Sequence, residues 1–303
     1  MSISSAERTY QPVTQDLPSP SLELLAAIHA LRARNSQEFQ QHLDERKKQE
    51  RQWANFVRDP EKVDAEQTDY ESRSNLKWYS TNQLSAEYRN QWFAKHIPGK
   101  IVLDYACGNG EETLRAAKMG ATLAVGIDVS DISVQNATRM AERDNISERC
   151  VFVEGDCENT GFPDNSFDVI LCCGVLHHLD LTKAYPEIHR ILKPGGCVFA
   201  QEALNYNPII KLYRKLTPEM RTEWEKEHIL SLKDVRAAKK YFNVGEIRYW
   251  HLTSIIGAFA RRVPSLFQIT SLVLNSVDKC LTAIPGVQML AWQFTFELFK
   301  PRT

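Results

Sequence analysis

"VLDYACGNGEET", residues 102–113, is the most informative stretch of this sequence. An apolar run ends at Asp104, two glycines follow at Gly108 and Gly110, and a helix-like segment begins directly after them. Doubly wound α/β sheets bind their ligands at such strand-to-helix turns, beyond the carboxyl end of the strand. Glycines at the turn let the backbone approach the ligand closely. The stretch therefore predicts a ligand-binding turn on the first strand of a parallel sheet.

Segments with strand and helix patterns alternate beyond this turn. Strands are predicted at 101–105, 122–127, 150–154, 167–173, 196–202, 244–250 and 291–299, and helices at 111–119, 131–144 and 182–192. Strands and helices that alternate at this spacing form βαβ units, in which helices cover both faces of a parallel sheet. We expect an α/β fold, a doubly wound and mostly parallel seven-stranded sheet of Rossmann-like type, with helical cap insertions.

The chain divides into three parts. Residues 1–20 are polar and are expected to form a flexible arm, and 21–99 a helical N-terminal extension that covers the cofactor and acceptor site. Residues 100–303 form the core, with helical insertions at about 203–243 and 251–290. In the extension, one helix is expected from Asn35-Ser36 to residue 58. Its charge run "DERKKQERQ" interleaves acids with bases, which predicts a solvated helix face.

Composition excludes several classes of protein. The 303 residues include 37 Lys and Arg against 38 Asp and Glu, a net charge of −1, which does not favour a nucleic-acid partner. Seven cysteines without a C-x-x-C pair indicate a reducing compartment, and we expect a cytoplasmic protein without a metal site. No apolar run reaches 18 residues, so no membrane span is expected.

The acids around the turn indicate what it binds. The dinucleotide pattern G-x-G-x-x-G is incomplete, because Thr113 stands where the third glycine would be. Asp104 suits a ligand with a positive group. Asp128 follows Gly108 by 20 residues, the spacing at which an acid accepts hydrogen bonds from ribose hydroxyls. Asp156 closes the third strand. Each acid alone could equally be a surface or helix-capping residue, but together they point to a ribose-bearing, cationic nucleoside.

Five motifs occur in an order that resembles the class I S-adenosylmethionine-dependent methyltransferases. They are "VLDYACGNG", "GIDVS", "GDCENTGFPDNSFD", "VLHHLD" and "ILKPGG", and they cover about residues 100–202. The resemblance implies that the cofactor is S-adenosylmethionine, with S-adenosylhomocysteine as the product. It also implies in-line displacement of the methyl group by a nucleophile, for which the enzyme mainly aligns the two reactants.

The same resemblance assigns cofactor-binding roles. Asp104 would hold the ammonium group, Asp128 the ribose, and Asp156 the adenine amino group, with the backbone of Cys157 beside the ring. The full predicted set is Asp104, Ala106, Gly108, Gly110, Asp128, Val129, Asp156, Cys157 and Cys173. Ala106 departs from the family pattern, which has glycine there, and we expect an ordinary negative φ at this position.

Candidate catalytic residues follow the ends of the strands. His177 and His178 come after the fourth strand, and a histidine there could act as a base near neutral pH, although a structural role is the alternative. Glu202 ends the fifth strand. Tyr79 lies ahead of the core, in a segment that covers the cofactor in many members of the family. With Tyr206 from the insertion, the predicted catalytic set is His178, Glu202, Tyr79 and Tyr206.

The insertions determine the expected acceptor. They suggest an enclosed pocket, which favours a small-molecule acceptor over a protein or RNA. Lys211, Arg214 and Lys215 fall on one helix face and could meet an anionic substrate group or simply be solvated. The apolar segment 251–290 is interpreted first as a structural cap, then as a lid over an apolar acceptor, and last as a dimer or membrane-surface patch. A homodimer, a macromolecular acceptor, non-methylating chemistry on the same cofactor and a non-enzymatic binding module are the alternatives.

Overall fold

A computed structural model describes residues 19–59, 78 and 80–302. Its centre is a seven-stranded sheet in the order β3-β2-β1-β4-β5-β7-β6. The strands are β1 Ile101–Tyr105, β2 Leu123–Asp128, β3 Cys150–Glu154, β4 Phe167–Cys173, β5 Leu192–Ala203, β6 Asn243–Trp250 and β7 Gln293–Phe299. β1 to β5 are parallel, and β7 is antiparallel to both β5 and β6. The predicted fold class is confirmed.

Helices cover the sheet and extend it. They are α1 Leu22–Ala33, α2 Ser36–His42, α3 Glu45–Arg58, α4 Gln83–His96, α5 Glu111–Lys118, α6 Asp131–Arg143, α7 Leu181–Ile191, α8 Pro208–Leu216, α9 Glu223–Glu227, α10 Leu232–Ala238 and α11 Pro264–Leu281. Short 3-10 segments occur at Leu176–His178, Pro218–Met220, Ser254–Ala260 and Val287–Leu290. Within the described ranges, no helix is long and apolar enough to cross a membrane.

The core forms on both faces of the sheet because the central strands are mostly apolar. All five residues of β1 are buried, as expected for a strand covered on both faces. One group of buried side chains includes Leu103, Val125 and Ile170, and the other includes Val102, Leu171 and Phe199. The sheet therefore holds the carboxyl ends of β1, β4 and β5 in fixed positions beside one another.

The single helix predicted from Asn35 to residue 58 is wrong, because two caps divide it. The Asn35 side chain accepts from the backbone N–H groups of Gln37 and Glu38 at the start of α2. The Asp44 side chain accepts from the N–H of Lys47 at the start of α3. A side-chain acceptor of this kind satisfies N–H groups that have no partner inside the helix. The break lets α3 take a direction of its own.

Candidate active site

A cavity of about 720 Å³ opens at the carboxyl ends of the central strands. Its floor includes the turn after β1, with Asp104 and Gly108, and the end of β4, with Cys173. Its far wall comes from α8 and from the 3-10 segment 254–260, two parts of the predicted insertions. One continuous space thus joins the predicted cofactor turn to the predicted acceptor pocket.

Asp104 brings a buried carboxylate to the floor of this cavity. Its Oδ2 accepts from the backbone N–H of Thr113 at 2.9 Å and from the Thr113 hydroxyl at 2.7 Å. No hydrogen bond from the described part of the chain reaches Oδ1. Burial raises the pKa of the Asp104 carboxyl to about 7 and the charge of Glu112 adds to this, while the bonds from Thr113 oppose it. A ligand ammonium group would supply the missing counter-charge, so this residue fits its predicted role.

The turn itself uses left-handed backbone at three positions. φ is +54° at Ala106, +52° at Gly108 and +80° at Gly110. The expected negative φ at Ala106 is therefore wrong. The turn requires the conformation that glycine adopts freely, and alanine adopts it here at a cost of about 1–2 kcal/mol. A Cβ at Gly110 would lie 2.7 Å from the side chains of Ala137 and Phe152, so this glycine is needed for packing.

Asp128 stabilises the glycine turn by a hydrogen bond to its backbone. Its Oδ2 accepts from the N–H of Gly108 at 2.8 Å, and its Oδ1 accepts from the N–H of Ser130 at 2.9 Å. The residue is buried and, like the neighbouring Val129, does not line the cavity. Each carboxylate oxygen has a second lone pair, so Asp128 keeps acceptor capacity for the ribose hydroxyls it is predicted to bind.

Asp156 lies beneath α3. Its Oδ2 accepts from the Lys47 ammonium at 2.7 Å, and its Oδ1 accepts from the N–H of Glu158 at 2.8 Å. Next to it, the Cys157 carbonyl accepts from the buried Tyr105 hydroxyl. Neither Asp156 nor Cys157 lines the cavity. The predicted adenosine end of the site is therefore covered by the N-terminal extension.

The charge run of α3 is docked on the domain, so the predicted solvated face is wrong. Arg51 is only 5% exposed and pairs with Glu154 and, at 2.8 Å, with Asp131. Arg46 pairs with Glu158, whose side chain is also buried. Interleaved charges are usually solvated, but here acids at the ends of β2 and β3 supply partners that the sequence of α3 alone does not reveal. Burying such cations requires paired acids.

His177 and Glu202 form a pair on the cavity wall. His177 Nδ1 lies 2.7 Å from Glu202 Oε2, and both residues line the cavity. Glu202 Oε1 accepts from the backbone N–H groups of Val175 and Leu176 at 2.8 and 2.7 Å, so the carboxylate is rigidly held. The sequence signal for this pair is topological. β4 and β5 are adjacent and parallel, with Cys173 opposite Gln201, so the residues that follow them meet.

His178 points to a different partner. Its Nδ1 lies 3.0 Å from Glu50 Oε2 of α3, and it does not line the cavity. Burial alone would lower the pKa of His178, but the bond to Glu50 and the charge of Glu225 outweigh it and raise the pKa. The pKa of Glu50 is lowered, since burial is outweighed by the bonds from His178 and Thr222. The raised pKa of His178 and the lowered pKa of Glu50 both favour a charged pair, which holds α3 against the domain.

Tyr206, one of the two predicted tyrosines, stands apart from the wall of this cavity. Tyr206 accepts a hydrogen bond from the backbone N–H of Leu232 at 3.1 Å through its hydroxyl. It lines a separate cavity of about 490 Å³ beside α10 and β6, away from His177. Tyr79 lies outside the described residues. The structure thus brings Glu202 and the cofactor turn together and leaves Tyr206 outside their cavity.

Apolar and aromatic groups line the far end of the cavity. Trp78 makes edge contacts with Tyr213 of α8, at 5.9 Å between ring centroids, and with Phe259, at 5.6 Å. Ile209 and Ile255 complete this wall. The predicted lid segment therefore does contribute to the pocket.

Polar groups also line the same cavity, and two of them have an unpaired buried oxygen. Gln201 Nε2 donates to Gln293 Oε1 at 3.1 Å, and Gln201 Oε1 is buried without a hydrogen-bond partner in the described part of the chain. Asn82 Oδ1 is likewise buried and has no hydrogen-bond partner among the described residues. Unpaired buried polar atoms in a cavity wall are costly, so they suit a ligand that carries a donor.

The three cations of the insertion occupy two different environments. Arg214 lines the cavity and donates to the Glu225 carbonyl at 2.7 Å, whereas Lys211 and Lys215 are exposed. One potential metal-ligand group, His177, His178 and Glu225, lies within 4.8 Å among the described residues. Guanidinium nitrogens of Arg214 and Arg221 lie 3.4 and 3.8 Å from the Glu225 carboxylate. These fixed charges oppose a dication.

Comparison with known proteins is consistent with this site. Residues 103–200 match the family model described as a methyltransferase domain. Sterol 24-C-methyltransferase erg6 of Aspergillus fumigatus is 41% identical over 99 residues, which are 32% of this chain and 26% of that protein. The 27-O-demethylrifamycin SV methyltransferase of Amycolatopsis mediterranei is 35% identical over 99 residues, 32% of this chain and 36% of that protein. The chain thus spans about a quarter to a third of the length of these relatives.

Solved structures share the architecture at low identity. The [4+2]-cyclase SpnF has a TM-score of 0.50 and 21% identity, over 73% of this chain and 84% of that one. A putative sarcosine dimethylglycine methyltransferase of Galdieria sulphuraria has a TM-score of 0.51 and 13% identity, over 74% and 86%. The fold and the matched domain define the class I S-adenosylmethionine-dependent methyltransferases. Residues 103–200 of the chain therefore form a methyltransferase domain, as the motifs predicted.

Proposed function

We propose that this protein transfers the methyl group of S-adenosylmethionine to a small, largely apolar acceptor. The observation that carries this proposal is the single cavity of about 720 Å³ described above. Its lining includes the Asp104 carboxylate, the apolar side chains of Ile209, Ile255 and Phe259, and the His177–Glu202 pair. Small-molecule sites combine apolar walls with polar groups that fix the orientation of the ligand.

The cofactor fits the chain at the Asp104 end. Asp104 would hold its ammonium group, and the backbone at Gly108 and the open backbone at Gly174 would lie beside its amino-acid portion. A Cβ added at Gly174 would meet nothing within 4 Å, which is consistent with free space there. Asp128 and Asp156 would bind the adenosine beneath α3. When bound, S-adenosylmethionine supplies an electrophilic methyl group on its sulfonium sulfur.

His177 is proposed as the general base. In the proposed tautomer the Glu202 carboxylate accepts a hydrogen bond from the Nδ1–H of His177, which leaves the lone pair of the ring on Nε2. An acceptor hydroxyl or similar group would give its proton to Nε2 while its heavy atom bonds to the methyl carbon, and the bond from that carbon to the sulfonium sulfur would break to leave S-adenosylhomocysteine. Such positioned proton transfer contributes about 10²–10⁴-fold to a rate. Glu202 acts through His177 and is a positioning residue.

The acceptor class follows from the far wall of the cavity. Trp78, Phe259 and the isoleucines favour an apolar body, and the unpaired oxygens of Gln201 and Asn82 favour one or two hydrogen-bond donors on it. The two curated relatives named above carry small-molecule acceptors in their names, a sterol and a rifamycin. Only part of each is matched, so they support the class of acceptor rather than its identity.

The proposal also covers the compartment of the protein and the acceptor classes that it disfavours. The protein acts in a reducing compartment, for which we propose the cytoplasm, since all seven cysteines are free thiols. A protein or RNA acceptor is disfavoured by the cavity's shape and by the near-neutral net charge. The likeness to a [4+2]-cyclase concerns the fold alone, so non-methylating chemistry is left as an outcome of the experiment.

The experiment uses S-adenosylmethionine with a labelled methyl group. The purified protein is incubated with it and a cell extract, and the label is separated into an organic-solvent fraction, a water-soluble small-molecule fraction and precipitated macromolecules. The proposal predicts label in the organic fraction, lost with His177→Gln. Label in protein or RNA would refute the small-molecule acceptor. If the cofactor binds in a separate titration but no fraction gains label, methyl transfer is contradicted and non-methylating chemistry is favoured.

A further inference from the structure

α11 packs against the domain with its polar side. The buried residues of this 18-residue helix are Ser271 and Asp278, whereas Ile269 is 63% exposed and Leu272 is 72% exposed. An ordinary surface helix has the opposite arrangement and buries its apolar stripe. The polar side has a structural purpose, because the Asp278 carboxylate accepts from the backbone N–H groups of residues 252–254. The apolar side is left facing outward.

Two neighbouring segments expose apolar side chains as well. On α8, Ile209, Leu212 and Leu216 stand at i, i+3 and i+7, on one side of the helix, and are 57–75% exposed. In the segment 254–260, Ile256 is 58% exposed and Phe259 is 79% exposed. We call the exposed apolar side chains of 208–216, 254–260 and 264–281 the apolar face. Contiguous apolar patches of this kind mark protein or membrane interaction sites.

The apolar face surrounds the mouth of the cavity. Ile209, Ile256 and Phe259 belong to the face and also line the cavity. Trp78 joins the two sides of the mouth through its ring contacts with Tyr213 and Phe259. If an apolar phase or partner covers this face, an apolar molecule could therefore pass from it into the cavity without crossing water.

The exposed charges within the segments that form the apolar face have one sign. Segments 208–216 and 251–281 contain six Lys and Arg and one acid, Asp278, which is fully buried and bonded to the backbone. The exposed charged residues in these segments are Lys211, Lys215, Arg262 and Lys279. In a two-fold dimer the same patch would face itself and bring these cations together. An anionic lipid surface attracts each of them instead.

We propose that the apolar face docks on an anionic phospholipid bilayer. The exposed side of α11 and the stripe of α8 lie in the headgroup region, as an amphipathic helix does when it binds without spanning. The cavity mouth then opens towards the lipid, from which an apolar acceptor is taken. The docking stands on the exposed surface alone, and only the entry of an acceptor rests on the proposed function.

Flotation with vesicles tests the docking. The full chain is mixed with vesicles of phosphatidylcholine alone, or of two parts phosphatidylcholine and one part phosphatidylserine, and spun through a density gradient. Docking predicts that the protein floats with the anionic vesicles, and less so as salt is added. Ile269→Asp and Leu272→Asp are each expected to reduce partitioning about tenfold or more. Each replaces an exposed apolar side chain, which docking would bury in the lipid, with a charged one.

Matched variants separate docking from other effects. Leu22→Asp makes the same change at a leucine that is 84% exposed on α1, at the β3 side of the sheet, and should float like the wild type. Lys211→Glu with Lys215→Glu should weaken flotation and flatten its salt dependence. S-adenosylmethionine binding by Leu272→Asp should equal that of the wild type, which shows that the variant is folded.

Three outcomes would overturn the docking. The first is that the wild-type protein floats with neither kind of vesicle, and the second is that Leu272→Asp floats as well as the wild type. The third is a concentration-dependent dimer of the wild type that Leu272→Asp abolishes. The last would assign the face to a second copy of the chain. Flotation needs no methyl transfer, so a failure of the proposed function leaves this result readable, and a failure to float leaves the labelled-methyl experiment unaffected.

Discussion

His177 Nδ1 lies 2.7 Å from Glu202 Oε2 although the two residues are 25 positions apart in the sequence. The carboxylate is fixed by two backbone N–H groups from Val175 and Leu176, so it cannot turn away from the ring. An ionised carboxylate in this position favours the tautomer with the proton on Nδ1 and the lone pair on Nε2. Under the proposed function, Nε2 is the atom that takes the proton of the acceptor.

Glu202→Gln is expected to reverse the tautomer. The amide oxygen can still accept from Val175 and Leu176, but the amide NH₂ would then face Nδ1, which must become the acceptor. Nε2 would carry the proton and could no longer act as a base, so kcat should fall about 10²–10⁴-fold. Steady-state kinetics with the identified acceptor measure this. A fall confined to KM, or an equal loss in His178→Gln, would contradict the assignment.

The glycine turn after β1 was predictable, and the reason is local. Asp104, Gly108 and Gly110 belong to one strand-to-helix turn, so their positions follow from neighbouring residues. The His177–Glu202 pair depends instead on which strands are adjacent, and the predicted catalytic set contained His178 rather than His177. The docking of α3 was not predictable, because Arg51 finds its partners Glu154 and Asp131 about 80–103 positions away.

Asp104 should make stability depend on pH. Its pKa is raised to about 7 in the folded protein, above the ordinary value of 3.8. The resulting stabilisation is fully present below about pH 4 and is lost as the pH rises through about 7. Asp104→Asn removes this titration, so the free energy of unfolding should fall less between about pH 5 and pH 8 than in the wild type. Urea unfolding at both pH values measures it. Parallel losses in the two proteins would contradict the raised pKa.

Ala106→Gly should stabilise the protein. The left-handed φ of +54° costs alanine about 1–2 kcal/mol, and the greater freedom of glycine in the unfolded chain takes back about 0.4–1 kcal/mol. The net gain should be a few tenths to about 1 kcal/mol in urea unfolding. Ala106→Val is the opposing variant and should destabilise. If glycine destabilises and valine does not, the turn does not have this conformation.

Arg51→Met should loosen the N-terminal extension. The change leaves the Glu154 carboxylate without its buried partner and should cost about 3 kcal/mol. Gln52→Met, at the next and exposed position of α3, is the matched control and should have little effect. Thermal unfolding and limited proteolysis within α3 report both. Equal behaviour of the two variants would show that the ion pair does not fasten α3.

Phe259→Ala should affect the acceptor alone. The Phe259 ring lines the cavity 5.6 Å from that of Trp78 and belongs to the 254–260 segment rather than to the glycine turn. We expect the acceptor KM to rise about threefold to tenfold, the value of an aromatic contact, with cofactor affinity unchanged. Kinetics at varied acceptor concentration and a separate cofactor titration measure the two. If neither changes, the segment 254–260 is no lid.

The most direct test is a calorimetric titration of the purified protein with S-adenosylmethionine, since the account depends on the cofactor being held at Asp104. The wild type should bind, and at about pH 6 binding should release a proton as Asp104 ionises beside the ligand ammonium. Asp104→Asn should bind about tenfold more weakly or worse, the value of a hydrogen bond to a charged group, while His177→Gln should bind like the wild type. No binding by the wild type, or equal binding by Asp104→Asn, would contradict the account.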